Sequence, residues 1–262
     1  MVNNAGPSRR EAMRLKAEAE EARGRRNARI LWISLAAVAV AVVVILALVI
    51  SSSLAKNGPS AEQQTPPNAT EKFGIGMPTQ DVEPAADAAH LIIWEDSQCP
   101  ICSEYEKLYG PVVKQLVDEG KITAEIRTAH FLDAQLRNDS SERAALAGAA
   151  ADAVGKFREF HDVLFANQPE EGVGFTDQQL RVDFPTQAGI EGDDLTKFQE
   201  LYDGRAFADF VKKANDQFTL DGITGTPTYL VGDTKLEFFS GQEMSIQPTP
   251  EDLLRAINEA NA

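Results

Sequence analysis

The feature that most constrains this chain is an unbroken apolar run over residues 30–50. The run contains no Asp, Glu, Lys or Arg. As an α-helix rising about 1.5 Å per residue, these 21 residues would extend ~31 Å, close to the ~30 Å hydrocarbon core of a bilayer. We therefore predict a single transmembrane helix that anchors the chain in a membrane.

The charge on the two sides of this run predicts its orientation. Residues 1–29 carry eight Lys or Arg and four Glu, whereas Lys56 is the only basic residue among the twenty that follow the run. Segments rich in Lys and Arg are retained in the cytoplasm. Residues 1–29 should therefore form a basic cytoplasmic tail, with residues 51–262 outside the cytoplasm.

A cleavable signal peptide is the alternative interpretation of the same segment. Ser53-Leu54-Ala55 resembles a small-residue cleavage site, although the apolar run is longer than the roughly 7–15 residues usual in a signal peptide. Cleavage near Ala55 would give a secreted form. Both interpretations export the rest of the chain.

The net charge argues against nucleic acid as a partner. The whole chain carries −15 and the tail +4, so residues 30–262 carry −19. A domain this acidic repels nucleic acid and anionic lipid surfaces. The basic tail is explained by its role in topology and by contact with anionic headgroups.

Composition divides the exported part into a linker and one domain. Residues 51–72 are rich in Pro, Ser, Gln and Asn without an apolar period, so we predict a flexible linker. The domain should span residues 73–262. Its first elements are a buried strand over 90–94, a helix that starts at the two cysteines, and a second strand over 122–131.

The second half of the domain changes from helical to extended patterns. Amphipathic stretches predict several short helices in an inserted helical subdomain over about 136–220. These stretches cover residues 141–167, 176–188, 194–202 and 205–219. Apolar residues 228–231 and 236–240 then predict a β-hairpin, and a last helix should start at Thr249 with that residue as its N-cap.

The only two cysteines, Cys99 and Cys102, lie three positions apart. A structural disulfide between them would close too small a loop to restrict the unfolded chain much. A zinc site would need about four ligands, and the three histidines, His90, His130 and His161, form no short-spaced pair. The pair therefore favours redox chemistry, and we expect neither a metal nor a bound cofactor.

The position of the pair explains how this chemistry would work. A helix N-terminus has unpaired N–H groups and a partial positive charge, which stabilise a thiolate. Cys99, at the helix start, should be the nucleophile, and Cys102, one turn further, the resolving thiol. Pro100 suits the first helical turn because its missing N–H would be unpaired there. Ile101 completes the turn between the two sulfurs.

Several nearby polar residues have two interpretations. Glu95 and Asp96 either relay protons to and from Cys102 or are solvated loop charges. His161 lies in an aromatic helical pattern and His130 ends a predicted strand. For both histidines a place in the core or on a helix surface is the preferred interpretation, because nothing in the sequence brings either near Cys99.

Three segments together resemble the DsbA-like branch of the thioredoxin superfamily, which are exported bacterial thiol–disulfide oxidoreductases. They are 94–102 (WEDSQCPIC), 156–165 (KFREFHDVLF) and 225–228 (GTPT). The resemblance covers about residues 73–262. It implies an α/β fold of the thioredoxin type with a helical insertion, here preceded by the single N-terminal transmembrane helix.

The resemblance also implies roles for individual residues. Cys99 stands at the family's nucleophile and Cys102 at its resolving thiol. Thr226 and Pro227 stand at the cis-proline loop, which packs beside the disulfide and holds the substrate backbone.

Two positions depart from the family's pattern. Ile101 stands where strong oxidases commonly have His, and it offers the thiolate neither charge nor a hydrogen bond. Ile93 stands where many relatives bury a carboxylate, and Glu95 is two positions away from that place. These departures leave the direction of the redox reaction open.

The expected function is oxidation of thiols in exported proteins by the Cys99–Cys102 disulfide. A membrane partner coupled to quinone would then reoxidise the pair. The alternatives are a thiol reductase or isomerase using the same cysteines, and a tethered peptide-binding module without turnover.

Overall fold

The computed structural model describes residues 62–79 and 82–262. The cytoplasmic tail, the transmembrane helix over 30–50 and most of the predicted linker lie outside the described residues. None of the helices in the two described ranges combines the length and the apolar character that crossing a bilayer requires.

A five-stranded sheet forms the centre of the domain. Its strands are β1 (Ile75–Gly76), β2 (Ala89–Glu95), β3 (Ile122–Thr128), β4 (Thr228–Val231) and β5 (Thr234–Lys235), in the spatial order β1-β3-β2-β4-β5. The central strand β2 runs parallel to β3 and antiparallel to β4. Its apolar residues Leu91, Ile93 and Trp94 are buried, as the continuous apolar run predicts for a strand covered on both faces.

Eight α-helices are described: α1 (Pro100–Asp118), α2 (Leu132–Leu136), α3 (Ser140–Asp152), α4 (Phe157–Ala166), α5 (Phe184–Gln187), α6 (Gly192–Asp203), α7 (Ala208–Leu220) and α8 (Pro250–Asn261). A π-helical turn, Gln179–Asp183, leads into α5. Helix α1 packs against α8, while α7 contacts β3 and α3. The main apolar core joins the sheet to α1, α3, α7 and α8, and two smaller clusters surround the cysteines and Trp94.

The predicted helical insertion between the two halves of the sheet is present as α2 to α7. The single stretch expected over 141–167 is two helices, because Gly155 adopts a φ of +70° between them. The last helix has the predicted cap, in which the Thr249 hydroxyl accepts a hydrogen bond from the Asp252 amide at 3.3 Å.

The β-hairpin starts where expected but its second strand is shorter and earlier. Gly232 has a φ of +57°, which permits a tight turn, so pairing resumes at Thr234–Lys235 rather than over 236–240. Leu236 and Phe238 instead enter the core. The following residues form a separate two-stranded ribbon of β6 (Phe239–Ser240) and β7 (Glu243–Met244).

The ordered chain extends into the segment expected to be linker. The Gln64 amide donates to the Ala206 carbonyl at 2.8 Å. The Asn68 backbone N–H and its Nδ2 donate to the two carboxylate oxygens of Asp152, at 2.9 and 2.8 Å. Polar composition suggested a solvated segment, but these polar groups find partners on the helical insertion.

Candidate redox site

The two cysteines lie at the start of α1, directly after the loop that leaves β2. Cys99 is the N-cap residue, Pro100 occupies the first helical turn, and the Cys99 amide donates to the Asp96 carbonyl at 2.9 Å. Both thiols are free. Cys99 is 8% exposed and Cys102, one turn further along the helix, is 3% exposed.

The surroundings of Cys99 stabilise its thiolate. A hydrogen bond from the Cys102 thiol is the largest effect, and it outweighs partial burial, which acts in the opposite direction. The Thr226 side chain and the backbone N–H groups of Cys102 and Ile101 add to the stabilisation. Together they lower the pKa of Cys99 to about 6, so the thiolate predominates at neutral pH even without a histidine at position 101.

The surroundings of Cys102 have the opposite effect. Burial raises the pKa of the Cys102 thiol well above its usual range, and the hydrogen bond to Cys99 and the negative charges of Cys99 and Glu95 raise it further. The two thiols therefore differ as a nucleophile and a resolving thiol must, one ionised and one protonated at neutral pH.

The segment before β4 completes the cysteine site from the other half of the domain. Strand β4 pairs antiparallel with β2 and sets Thr228 opposite Trp94, which brings Thr226 beside Cys99. The Cys99 Sγ and the Thr226 carbonyl oxygen are 3.4 Å apart. The Thr226–Pro227 peptide bond is cis.

Glu95 is buried and bonded rather than solvated. Its carboxylate lies 2.8 Å from the Nε2 of His161, which is itself only 4% exposed on α4. Burial opposes charge on the imidazole, but Glu95 and then Glu106 outweigh it and raise the pKa of His161 to about 9. His161 is thus a buried and bonded core histidine, as the preferred interpretation of the sequence expected, and its partner Glu95 acts electrostatically on Cys102.

The sequence contained only half of the signal for His161. The periodicity of 156–165 places it on the same helical face as Phe157 and Phe165, which are buried. The sequence could not predict that this face packs against the end of β2, because Glu95 lies 66 positions away from His161.

Asp96 anchors the loop between β2 and α1, and its described hydrogen bonds do not include one to a histidine. Its carboxylate accepts hydrogen bonds from the Gln98 amide, the Leu132 amide and the Ser141 hydroxyl. Burial raises the pKa of Asp96 despite these donors. Of the two acids proposed as relays, only Glu95 pairs with a titratable group that can pass a proton.

Sequence reasoning missed two glutamines that hold the loop. The Gln98 side-chain amide donates to Asp133 at 2.8 Å and to Ser141 at 2.9 Å, which ties the loop to α2 and α3. The Gln168 side-chain amide donates to the carbonyl oxygens of Ser97 and Cys99, at 2.8 and 2.9 Å. Both are ordinary polar residues in loops, with no pattern that would have marked them.

An apolar surface lies next to the cysteine pair. Ile101 is 58% exposed, and Leu108 on the same helix and Phe239 on β6 are also exposed. Tyr105 lies between them, with its ring centroid 6.3 Å from that of Phe239. This surface can take apolar side chains of a peptide that reaches Cys99.

One group of side chains in the described part has the composition of a metal site. Potential ligand atoms of Glu106, His161 and Asp162 lie within 4.8 Å of one another. The ammonium of Lys114 is bonded to both carboxylates, so the protein itself supplies a cation there. His90 instead bonds Thr123, and His130 lies near Asp133 on α2.

Comparison with known proteins identifies the family. The thioredoxin family model matches residues 83–259, which is more than half of the chain. This chain belongs to the thioredoxin family. The match includes the cysteine pair, the helical insertion and the Thr226–Pro227 segment.

Solved structures of thioredoxin-family proteins extend this result to the DsbA-like branch. Oxidised DsbA of Mycobacterium tuberculosis is 25% identical, with a TM-score of 0.55 over 72% of this chain and 93% of that one. Reduced DsbG of the same organism is 26% identical, with a TM-score of 0.52 over 79% and 91%. MdbA of Actinomyces oris, 19% identical with a TM-score of 0.59 over 77% and 96%, shares the fold. The chain is thus homologous to thiol–disulfide oxidoreductases, as the sequence resemblance predicted.

A curated relative matches over a shorter part of its own length. The Na⁺/H⁺ antiporter NhaA 3 of Salinispora tropica is 28% identical over 162 residues, which is 59% of this chain and 22% of that protein. The chain thus spans about a fifth of the length of this relative.

Proposed function

We propose that this chain is a membrane-anchored thiol–disulfide oxidoreductase that introduces disulfides into exported proteins. The observation that carries the proposal is the opposite shift of two thiol pKa values at one helix start. Cys99 is lowered to about 6 and Cys102 is raised well above its usual range. A disulfide whose reduced form contains a stabilised thiolate is a good electron acceptor.

The reaction is a two-electron exchange between sulfur atoms. A substrate thiolate attacks Cys99 in the Cys99–Cys102 disulfide, forming a mixed disulfide and releasing the Cys102 sulfur, which takes up a proton. A second substrate thiolate attacks the substrate sulfur of that mixed disulfide and releases Cys99 as its thiolate. The substrate then carries the new disulfide, and Cys99 and Cys102 hold its two electrons.

Thr226 and Pro227 would hold the substrate chain during this exchange. They lie beside Cys99, and the exposed apolar surface around Ile101 continues from the same place. Backbone groups of the loop can pair with an extended peptide whatever its side chains are, which suits an enzyme with many substrates.

Location outside the cytoplasm and a reoxidising partner belong to the same proposal. The apolar run over 30–50 and its basic flank support a membrane anchor with the redox domain on the outer side. Each turnover leaves the dithiol, so an oxidant must return it to the disulfide. We expect a membrane protein coupled to quinone to do this.

A reductase or isomerase is the second candidate, and Ile101 is the observation that favours it. The exposed isoleucine contributes no charge or hydrogen bond to Cys99. The reduction potential discriminates the two directions: a value near about −120 mV fits an oxidase, and one near about −270 mV fits a thioredoxin-like reductase.

The test of the proposal is a comparison of Cys99→Ser with Cys102→Ser in the full chain. Cys99→Ser should abolish oxidation of a reduced dithiol peptide. Cys102→Ser should accumulate mixed disulfides through Cys99 that dissolve on reduction. His90→Gln, at the far end of β2, is the matched control and should keep the activity of the unaltered protein.

Two outcomes would contradict the proposal. A tethered binding module would retain its partners in both cysteine variants and after reduction. A chain that fractionates with soluble proteins in the cytoplasm would contradict the anchored, exported location.

A further inference from the structure

The main-chain carbonyl of Cys99 is a shared acceptor at the start of helix α1. It accepts hydrogen bonds from the Cys102 amide at 3.1 Å and from the Ser103 amide at 3.4 Å, which are the first bonds of the helix. It also accepts one from the side-chain amide of Gln168 at 2.9 Å. Because a carbonyl oxygen has two lone pairs, these donors compete for it.

The Cys102 amide has a second acceptor, which is the sulfur of Cys99. The Cys102 thiol has the largest effect in lowering the pKa of Cys99, and the Cys102 amide adds to this stabilisation of the thiolate. The same amide therefore serves both the carbonyl and the sulfur of one residue. When it turns to the sulfur, its bond to the carbonyl weakens. An unpaired carbonyl costs free energy here, because Cys99 is only 8% exposed.

Gln168 supplies the carbonyl with a replacement donor. Its side-chain NH2 group bonds the carbonyl oxygens of Ser97 and Cys99, at 2.8 and 2.9 Å. Both oxygens can only accept, so the nitrogen of the side chain must face them. With Gln168 and the Ser103 amide on the Cys99 carbonyl, the Cys102 amide can bond the sulfur without leaving that carbonyl unpaired.

The end of helix α4 keeps Gln168 in this place. The Gln168 backbone amide donates to the Phe165 carbonyl at 3.3 Å, and the Ser103 hydroxyl of α1 donates to the same oxygen at 3.3 Å. The Phe165 side chain packs in the apolar cluster that contains both cysteines. The helical insertion and the start of α1 thus meet directly beside Gln168.

We propose that Gln168 is a positioning residue for disulfide exchange, because it bonds the Cys99 carbonyl and so leaves the Cys102 amide free to bond the Cys99 thiolate. The proposal rests on the proposed function and concerns the nucleophile of that same site. Gln168 acts through the main chain of Cys99. The helical insertion therefore contributes to the reactivity of the nucleophile as well as to its position.

The effect of Gln168 should be greatest in the second exchange, in which Cys99 is the leaving group. The second substrate thiolate forms its bond to the substrate sulfur of the mixed disulfide. The bond from that sulfur to Cys99 breaks, its electron pair stays on Cys99, and no proton is transferred. Since a thiol of lower pKa leaves faster, an amide that is free to bond the departing thiolate speeds this step.

The test replaces Gln168 with methionine, which has a similar length and no donor. In the reduced full chain, alkylation by iodoacetamide between pH 4 and 9 should give a midpoint for Cys99 near pH 6 in the unaltered protein. In Gln168→Met the midpoint should be higher by about 0.5–1 unit, because the thiolate loses part of one hydrogen bond. At pH 8 the reduced form is then disfavoured by about 3–9-fold, so the reduction potential should be lower by about 15–30 mV.

The matched control is Gln199→Met. The side-chain amide of Gln199 on α6 donates to the Arg181 carbonyl at 3.2 Å, so this variant loses the same kind of bond away from the cysteines. It should keep both the midpoint and the potential of the unaltered protein. A smaller rise of the midpoint in Gln168→Met, or an equal rise in Gln199→Met, would overturn the proposal.

An NMR titration follows the Cys102 amide itself and covers the case in which Gln168→Met does not fold. In the unaltered protein the Cys102 amide proton should move downfield as Cys99 ionises near pH 6, because the amide gains a bond to the sulfur. In Gln168→Met this movement should be smaller. An amide that does not move in the unaltered protein, or that moves equally in both proteins, would contradict the role of Gln168.

Failure of the proposed function would give a different result. The unaltered protein would then oxidise no dithiol peptide, while the midpoints and the Cys102 amide still behaved as expected. In that case the role of Gln168 in the ionisation of Cys99 would stand without the exchange reaction.

Discussion

Thr226 has a direct effect on the reactive sulfur. Its hydroxyl oxygen is buried and has no hydrogen-bond partner within the described part of the chain, so the hydroxyl is available to donate to a Cys99 thiolate. It is one of the groups that lower the pKa of Cys99. A side chain in the substrate-binding segment thus also stabilises the nucleophile.

We predict that Thr226→Val raises the pKa of Cys99 by up to about one unit. Valine has the shape of threonine without the hydroxyl, and a hydrogen bond of about 0.5–1.5 kcal/mol corresponds to one unit at most. Alkylation of Cys99 by iodoacetamide between pH 4 and 9 measures this. The midpoint should lie near pH 6 in the unaltered protein and at a higher pH in the variant.

The same variant should be a weaker oxidant by up to about 30 mV, because its reduced form loses thiolate stabilisation. Thr123→Val, which removes a hydroxyl bonded to His90 away from the site, is the control and should leave the midpoint unchanged. An unchanged midpoint in Thr226→Val would contradict the prediction.

The sequence was most informative for residues whose chemistry depends on local position. The helix start and the three-residue spacing were sufficient to predict opposite roles for Cys99 and Cys102. The environment of Glu95 depended on His161, which is distant in sequence, so its pairing required the folded structure. Gln168 was not predictable at all, because its contacts are with backbone carbonyl groups.

Among the elements, the loop between β2 and α1 is held chiefly by the helical insertion. Ser141 at the start of α3 donates to Asp96 at 2.5 Å and accepts from Gln98 at 2.9 Å. Asp133 on α2 accepts from Gln98 and from the Ser141 amide. The insertion therefore positions the redox loop through buried hydrogen bonds.

We predict that Ser141→Ala lowers the free energy of unfolding by about 1–3 kcal/mol, because it leaves a buried carboxylate oxygen with one donor fewer. The loss should be largest near neutral pH and smaller at acidic pH. Burial already raises the pKa of Asp96, and removal of a donor raises it further, so stability is lost as pH rises through that pKa.

Urea unfolding of the reduced protein at several pH values measures this effect. Thr196→Ala removes an exposed hydroxyl that bonds its own helix, and it should change stability by about 0.5 kcal/mol or less. Equal stability of Ser141→Ala and the unaltered protein would show that the loop does not depend on this bond.

The order of elements was predictable because each has a strong local signal. The apolar run of β2, the periodicity of α1 and the Thr249 cap are all properties of neighbouring residues. The role of the helical insertion in holding the loop between β2 and α1 was not predictable, because Gln98 and Ser141 are 43 positions apart and neither is apolar. Long-range polar pairing leaves no periodic trace in a sequence.

For the molecule as a whole, the docked segment over 62–72 extends the domain beyond its predicted start. Asp152 is 2% exposed, and its described hydrogen-bond donors are both on Asn68. Asn68 also accepts from the Gly76 amide of β1 at 2.8 Å. The segment therefore compensates a buried charge and extends the edge of the sheet.

We predict that a chain of residues 60–262 is more stable than one of residues 73–262 by at least about 2 kcal/mol. The shorter chain leaves the Asp152 carboxylate buried without Asn68, and hydrogen bonds to charged groups contribute about 1.5–3 kcal/mol. Urea unfolding at pH 7 compares the two chains.

A second substitution makes this comparison specific. Asp152→Asn should stabilise the shorter chain by removing an unpaired charge, and it should destabilise the longer one by weakening the bonds from Asn68. Effects of the same sign in both chains would contradict the assignment of Asn68 as the partner of Asp152.

Docking of residues 62–72 also limits how far the enzyme could search for clients. If residues 30–50 are anchored as proposed, only positions 51–61 remain as a linker between the membrane and the docked segment. At about 3.3–3.6 Å per residue this linker spans ~40 Å at most. A linker that also included the docked residues 62–72 would be twice as long. Clients would then be met close to the bilayer, as they emerge from it, rather than deep in the surrounding medium.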